Sequence, residues 1–164
     1  MKEMYQINDS DSFVNYLIGG NDLERLLSEV SFNDNNQALF LRFVYCHAIT
    51  LLDAYVGGLA CHHEYLNKKR KMNISYQNPQ KIKKFLKQTF GIEFSLPNEY
   101  ENMVKKRNMF IHKNGISSDE DQITVSKEEV EQVLELVRKS IYEIENKILD
   151  KKAEEYINSV YNEL

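Results

Sequence analysis

The residues with the clearest chemical potential lie in Lys105-Lys106-Arg107-Asn108-Met109-Phe110-Ile111-His112-Lys113-Asn114-Gly115, where a permanent cation, an amide and an imidazole fall within six residues. On a helix advancing about 100° per residue, Asn108 and His112 stand one turn apart on one face, with Arg107 at its edge. These groups suit cleavage of an RNA phosphodiester by its own 2′-hydroxyl. An imidazole exchanges protons near neutrality, so His112 serves as acid or base. The planar guanidinium of Arg107 holds the phosphate and stabilises the charge that develops on its oxygens. Asn108 orients the imidazole or a phosphate oxygen, and Lys105, Lys106 and Lys113 attract the RNA backbone whatever its sequence. The reaction requires neither metal nor cofactor. It does require both an acid and a base, and the motif offers one histidine; a symmetric homodimer apposing two motifs supplies both.

Other readings of the same residues stand beside this one. An Arg and a His at this spacing occur by chance in about one chain in six of this length. Basic residues also gather at helix C-termini for dipole reasons alone. The same patch fits a non-catalytic helical module that binds nucleotide, RNA or a protein partner, and a structural subunit held by its heptads would make the motif dispensable. What favours catalysis is the intact Arg-Asn-His set, because pure binding has no use for a titrating imidazole.

Net charge is −4, which by itself argues against a polyanion partner, but the charge is unevenly spread. Residues 1–67 carry three cations and nine acids (net −6), and residues 114–164 carry six and thirteen (net −7). Residues 68–113, which contain the motif, carry twelve cations and three acids, net +9. This fits a phosphate-binding face on an acidic protein, or else solvated lysines on amphipathic helices.

A metal centre is not expected. His62-His63-Glu64 lacks the pair of histidines four apart that a helical site needs, since adjacent helical residues diverge by about 100°. Cys46-His47 and Cys61-His62 lie in one predicted helix, where fifteen residues separate them by roughly 22 Å. That distance also forbids a disulfide between Cys46 and Cys61, so free thiols in a reducing compartment are expected.

The elements that must position the motif read as helices. Asp9-Ser10-Asp11-Ser12 caps a short helix stopped by Gly19-Gly20, and Asn21 caps a second carrying Leu23, Leu26, Leu27 and Val30. From about Asn36 to Asn67 runs a long helix apolar over most of its circumference, central in a bundle or buried in a dimer. Gly57-Gly58 allows it a bend or a close crossing. Asp53 interrupts its apolar surface and needs a partner, either Arg107 across the bundle or a backbone donor. Lys68-Lys69-Arg70-Lys71 suits the helix C-terminus. Asn78-Pro79 starts a helix that Gly91 ends, with Ile82, Phe85, Leu86 and Phe90 along one face. A further helix begins near Pro97 and leads into the motif. An acidic loop, Ser117 to Asp121, gives way to a short extended piece at Ile123 and Val125. Ser126-Lys127-Glu128-Glu129 is a capping box opening a helix with Val130, Leu134, Val137, Ile141, Ile144 and Ile148 in heptad spacing, which suits a bundle core or a self-association face. Past Ile148 the seam shifts to Leu149, Ala153, Tyr156 and Val160, so a bend or a new helix is expected there.

With 164 residues, the chain has the size of one domain able to bury about two-thirds of its unfolded surface. Few glycines and prolines and long helical periodicities make it all-α. Met1-Lys2-Glu3-Met4-Tyr5 lacks the layout of a signal peptide, and a cytoplasmic location is expected. The apolar run Ala38 to Ala60 contains Arg42, His47 and Asp53. At on the order of 3 kcal/mol for each central Arg or Asp, a soluble core helix is favoured over a membrane span, and no membrane partner is expected.

At Arg107-Asn108-Met109-Phe110-Ile111-His112 the chain resembles the HEPN superfamily, whose mark is Arg, four to six residues, then His, often with a polar residue directly after the Arg. Outside the motif, from about residue 36 to 149, the similarity is one of helical order, not identity. The resemblance implies an all-α, HEPN-like helical bundle with a long central helix and a long C-terminal helix. It further implies a homodimer with a composite cleft and metal-independent endoribonuclease activity, of the kind found in toxins paired with antitoxins and in antiviral defence. It assigns Arg107 and His112 to catalysis and Asn108 to their support, and matches Asp53 to an acidic residue that some members carry on an earlier helix. The expected partners are RNA, a second copy, and an antitoxin or defence-system protein. The expected organisation is a single domain over 1–164: an N-terminal helical extension (1–35), a core bundle (36–149) and a C-terminal helical extension (150–164).

Overall fold

A computed structural model describes residues 9–29, 34–66, 78–113 and 123–162. They form five helices, α1 (Asp9–Glu29), α2 (Asp34–Leu66), α3 (Pro79–Phe90), α4 (Asn98–Lys113) and α5 (Lys127–Asn162). No strand occurs among the described residues, and Ile123 to Ser126 has no regular structure. The cationic run at 68–71, the Asn114-Gly115 stop and the acidic loop at 117–121 lie outside the described residues.

Helix α2 is the axis of the bundle, with α1, α4 and α5 packed against it and α1 also touching α5. It can serve all three because its apolar residues run around most of its surface: Val44, Ala48, Ile49, Leu52, Val56 and Leu59 are wholly buried. Gln37–His62 has the length and mean hydropathy, 1.4, of a membrane-spanning helix; here that apolarity fills the centre of the bundle. Opposite it, the heptad residues of α5 from Val130 to Ile148 are all buried, so this seam is core rather than a self-association face. The Tyr55 hydroxyl donates to Glu145 Oε1 at 2.9 Å across the α2–α5 contact.

Two expected breaks do not occur. Helix α1 runs unbroken through Gly19 and Gly20, and α5 continues without interruption past Ile148. At the first, the glycine serves packing: a Cβ on Gly19 would lie 3.1 Å from the Leu51 side chain, so its absence lets α1 approach α2 closely. Tyr16, Leu23 and Leu27 are buried as a result, which makes α1 part of the core rather than an appendage. Helix α2 is likewise continuous through Gly57 and Gly58, and Gly57 faces open space rather than a crossing helix.

The caps that hold α3 and α5 are those expected. Asn78 Oδ1 accepts from the Gln80 amide at 2.8 Å, Pro79 fills the first helical position, and Gly91 closes α3 in the left-handed region at φ 67°. Ser126 Oγ accepts from the Glu129 amide while Glu129 Oε2 accepts from that of Ser126, a reciprocal capping box. Between α3 and α4, Ile92, Phe94 and Leu96 are buried and alternate with exposed Glu93 and Ser95. This short run inserts every second side chain into the core, as an extended chain must.

Candidate active site

The motif occupies the second half of α4, and its geometry follows from how α4 lies on α2. The Tyr45 hydroxyl donates to the Met103 carbonyl at 3.3 Å, and the Tyr45 ring meets Phe110 edge-on at 6.1 Å. Nearer the start of α2, the Arg42 guanidinium lies 5.3 Å above the Phe110 ring. The helices therefore run antiparallel, and the end of α4 that carries the motif sits beside the first half of α2.

Arg107 points into this contact and is only 6 % exposed. It acts electrostatically on the Cys46 thiol and the Tyr100 hydroxyl. Its Nε and Nη2 are buried and have no hydrogen-bond partner among the described residues, and neither does the Tyr100 hydroxyl. Nε and Nη2 are the adjacent edge of the guanidinium, the fork that grips two oxygens of one carboxylate or phosphate. Asp53, expected as a possible partner of Arg107, acts electrostatically on the same Tyr100 hydroxyl as Arg107 does, but accepts no hydrogen bond from the Nε–Nη2 edge. Burial, and then the charge of Asp53, push the Tyr100 hydroxyl well above its ordinary range, while Arg107 pulls it down. Burial likewise pushes the Cys46 thiol up, against the opposing pull of Arg107 and Arg42.

Asn108 and His112 point elsewhere, as their helical angles require. Asn108 is half-buried and lines a groove of about 360 Å³ between α4 and the first turn of α3, facing Asn78, Gln80 and Lys81. Lys105 borders the same groove, where an exposed ion pair with Glu101 at 3.3 Å holds it only weakly. His112 and Lys113 are exposed on the last turn. Arg107 is thus on the buried side of α4 and His112 on its exposed side.

Lys106 leaves the patch altogether. Its ammonium pairs with Glu129 of α5 at 2.5 Å and lies 5.8 Å above the Tyr45 ring, so it clamps α4 to α5. Two residues join the site that spacing alone did not single out. Arg42 brings a second guanidinium beside Cys46, and Tyr100 brings the buried hydroxyl described above. Their only sequence signal is a polar group within an otherwise apolar helical row.

The same end of the molecule carries exposed apolar surface. Leu39 is 60 % and Phe43 58 % exposed, one turn apart on α2, and Ile111 on α4 is 51 % exposed. The His47 ring stacks on Phe43 at 5.7 Å. Among the described residues, no group of three or more His, Cys, Asp or Glu side chains is placed to hold a metal ion. Both cysteines are free thiols.

No family model matches this chain, and no curated protein or solved structure is significantly similar to it.

Proposed function

We propose that the chain is a metal-independent endoribonuclease that acts in the cytoplasm as a homodimer, in a toxin or antiviral-defence role. The observation that carries this reading is the vacant fork of Arg107, a buried cation whose two adjacent donors have no partner among the described residues, one residue before Asn108 and five before His112. A buried, unpaired guanidinium is costly unless an anion meets it, and a phosphodiester presents two oxygens at the right spacing.

In the proposed reaction the substrate's 2′-oxygen attacks phosphorus while His112 of one protomer takes its proton. Arg107 donates to the phosphoryl oxygens as their charge grows. His112 of the second protomer protonates the departing 5′-oxygen, leaving a 2′,3′-cyclic phosphate and a 5′-hydroxyl. Leu39, Phe43 and Ile111 are the surface on which two copies meet, because they lie beside the motif and expose apolar area that one chain leaves open. The proposed reaction requires that this contact reposition the end of α4, because the Arg107 fork is buried in the single chain. The resemblance to the HEPN superfamily supports the same reading.

The test is incubation of total cellular RNA with the purified protein in excess EDTA, beside His112→Ala prepared identically. Cleavage by the wild type alone, leaving 2′,3′-cyclic phosphate ends, is the expected result. Equal cleavage by both proteins removes His112 from the chemistry. RNA binding without cleavage, abolished by Arg107→Ala, supports the non-catalytic binding module instead.

A further inference from the structure

On the side of the molecule bounded by α5 and residues 94–99, a groove of about 720 Å³ runs along the outer face of α5. We infer that this groove is the docking site for a lysine- or arginine-rich amphipathic helix of a partner protein. Its floor is apolar, made by Phe94, Met103 and Leu136. Its rim is acidic: Glu99, Glu128, Glu131, Glu135 and Glu143 border it against a single cation, Lys139. An apolar floor between carboxylate rims complements a helix with an apolar stripe and a basic remainder.

A further observation points to an occupant of that kind. At one end, the Lys147 ammonium already lies 6.0 Å above the Phe94 ring while donating to the Glu93 carbonyl at 2.7 Å, which shows a cation seated against the floor's own aromatic. The chain's own ion pairs leave the rim open to exchange. Glu131 meets Lys127 at 3.8 Å, Glu135 meets Arg138 and, at 3.2 Å, Lys139, and Glu143 meets Lys147 at 2.7 Å; all these pairs are substantially exposed, and of the cations only Lys139 belongs to the groove lining. Exposed pairs of this type are held weakly.

The occupant is not a second copy. Among the described residues, α3 is the basic amphipathic helix of this chain, with Lys81, Lys83, Lys84 and Lys87 exposed, and its apolar residues Ile82 and Leu86 are wholly buried in its own core. Nucleic acid is excluded by the sign of the rim. The groove lies apart from the motif and stands whether or not the chain cleaves RNA.

The experiment titrates the full chain into a fluorescein-labelled synthetic helix carrying leucines at i, i+3, i+4 and i+7 and lysines elsewhere, beside a scrambled peptide of the same composition. Anisotropy is expected to saturate at one amphipathic peptide per chain, with the scrambled peptide much weaker. Glu131→Lys with Glu143→Lys should weaken binding about tenfold, and Leu136→Gln comparably. Glu154→Lys with Glu155→Lys, outside the groove, should leave binding unchanged, and circular dichroism should confirm that all variants are folded. Equal binding of both peptides, equal weakening by the control pair, or no binding at all overturns the proposal. So does a monomer–dimer equilibrium, seen by sedimentation without peptide, that the groove variants abolish, because the occupant is then a second copy.

Discussion

Helix α2 buries polar groups on two sides, and the two contacts are finished differently. Against α5, the buried Glu145 carboxylate receives a hydrogen bond from Tyr55 at 2.9 Å within a seam of fully buried branched residues. Against α4, Arg107 and Tyr100 bury a guanidinium edge and a hydroxyl with no partner for either among the described residues. An unsatisfied buried group costs about 1–3 kcal/mol, more when it is charged. The α5 contact is therefore satisfied, and the α4 contact carries a local penalty that a bound anion would relieve. Such mismatches concentrate at functional sites, where local rules give way to chemistry.

Substitutions that treat the two contacts alike sharpen this contrast most. Arg107→Met removes the unpaired cation while keeping its volume, so RNA cleavage should fall by about 100-fold or more while stability in urea stays level or rises by about 1–2 kcal/mol. A large loss of stability would mean that Arg107 is a structural residue and that its fork is satisfied in solution. On the other side, Ile141→Ala should cost about 2–5 kcal/mol, because α5 cannot collapse around the cavity. Tyr55→Phe, which withdraws one donor from Glu145, should cost about 1–3 kcal/mol. Neither substitution touches the motif, so any cleavage that remains should follow the folded fraction.

The dimer proposed for cleavage gives a smaller but diagnostic effect. Phe43→Glu with Leu39→Glu changes residues already exposed in the single chain, so thermal stability of the monomer should move by less than about 1 kcal/mol. Cleavage should nonetheless disappear together with the dimer in sedimentation. A variant that is monomeric and fully active would show that one chain assembles the site alone.

Much of the scaffold was legible because its signals are local. Asn78-Pro79, Gly91 and the Ser126–Glu129 box each act within one turn, and the spacing of Val130 to Ile148 states its own burial. Gly19-Gly20 misled for the same reason: as a local signal a glycine pair stops a helix, but here the missing Cβ answers to Leu51, 32 positions away. Ile92, Phe94 and Leu96 were silent because three alternating residues are too few to establish a period. At the site, the types and spacing of Arg107, Asn108 and His112 could be read directly. That Lys106 is spent on Glu129, and that nothing is spent on the Arg107 fork, depends on which helix lies opposite, which the motif itself does not encode.

The finest probe of the contrast is the thiol that lies inside the α4 contact. Cys46 is half-buried and its acidity is reduced, first by burial, with Arg107 and Arg42 opposing; Cys61 is exposed on the same helix. Because the thiolate is the reacting species, a raised pKa means slower alkylation at a given pH. Iodoacetamide should therefore modify Cys61 before Cys46 in the native protein, as peptide mass spectrometry would record. Arg107→Met withdraws one of the two cations that favour the Cys46 thiolate, so Cys46 should react more slowly still, with its rate profile moved to higher pH. Faster modification in that variant would instead mean that Arg107 keeps the α2–α4 contact closed. The guanidinium would then be a structural latch whose burial stabilises the α2–α4 contact.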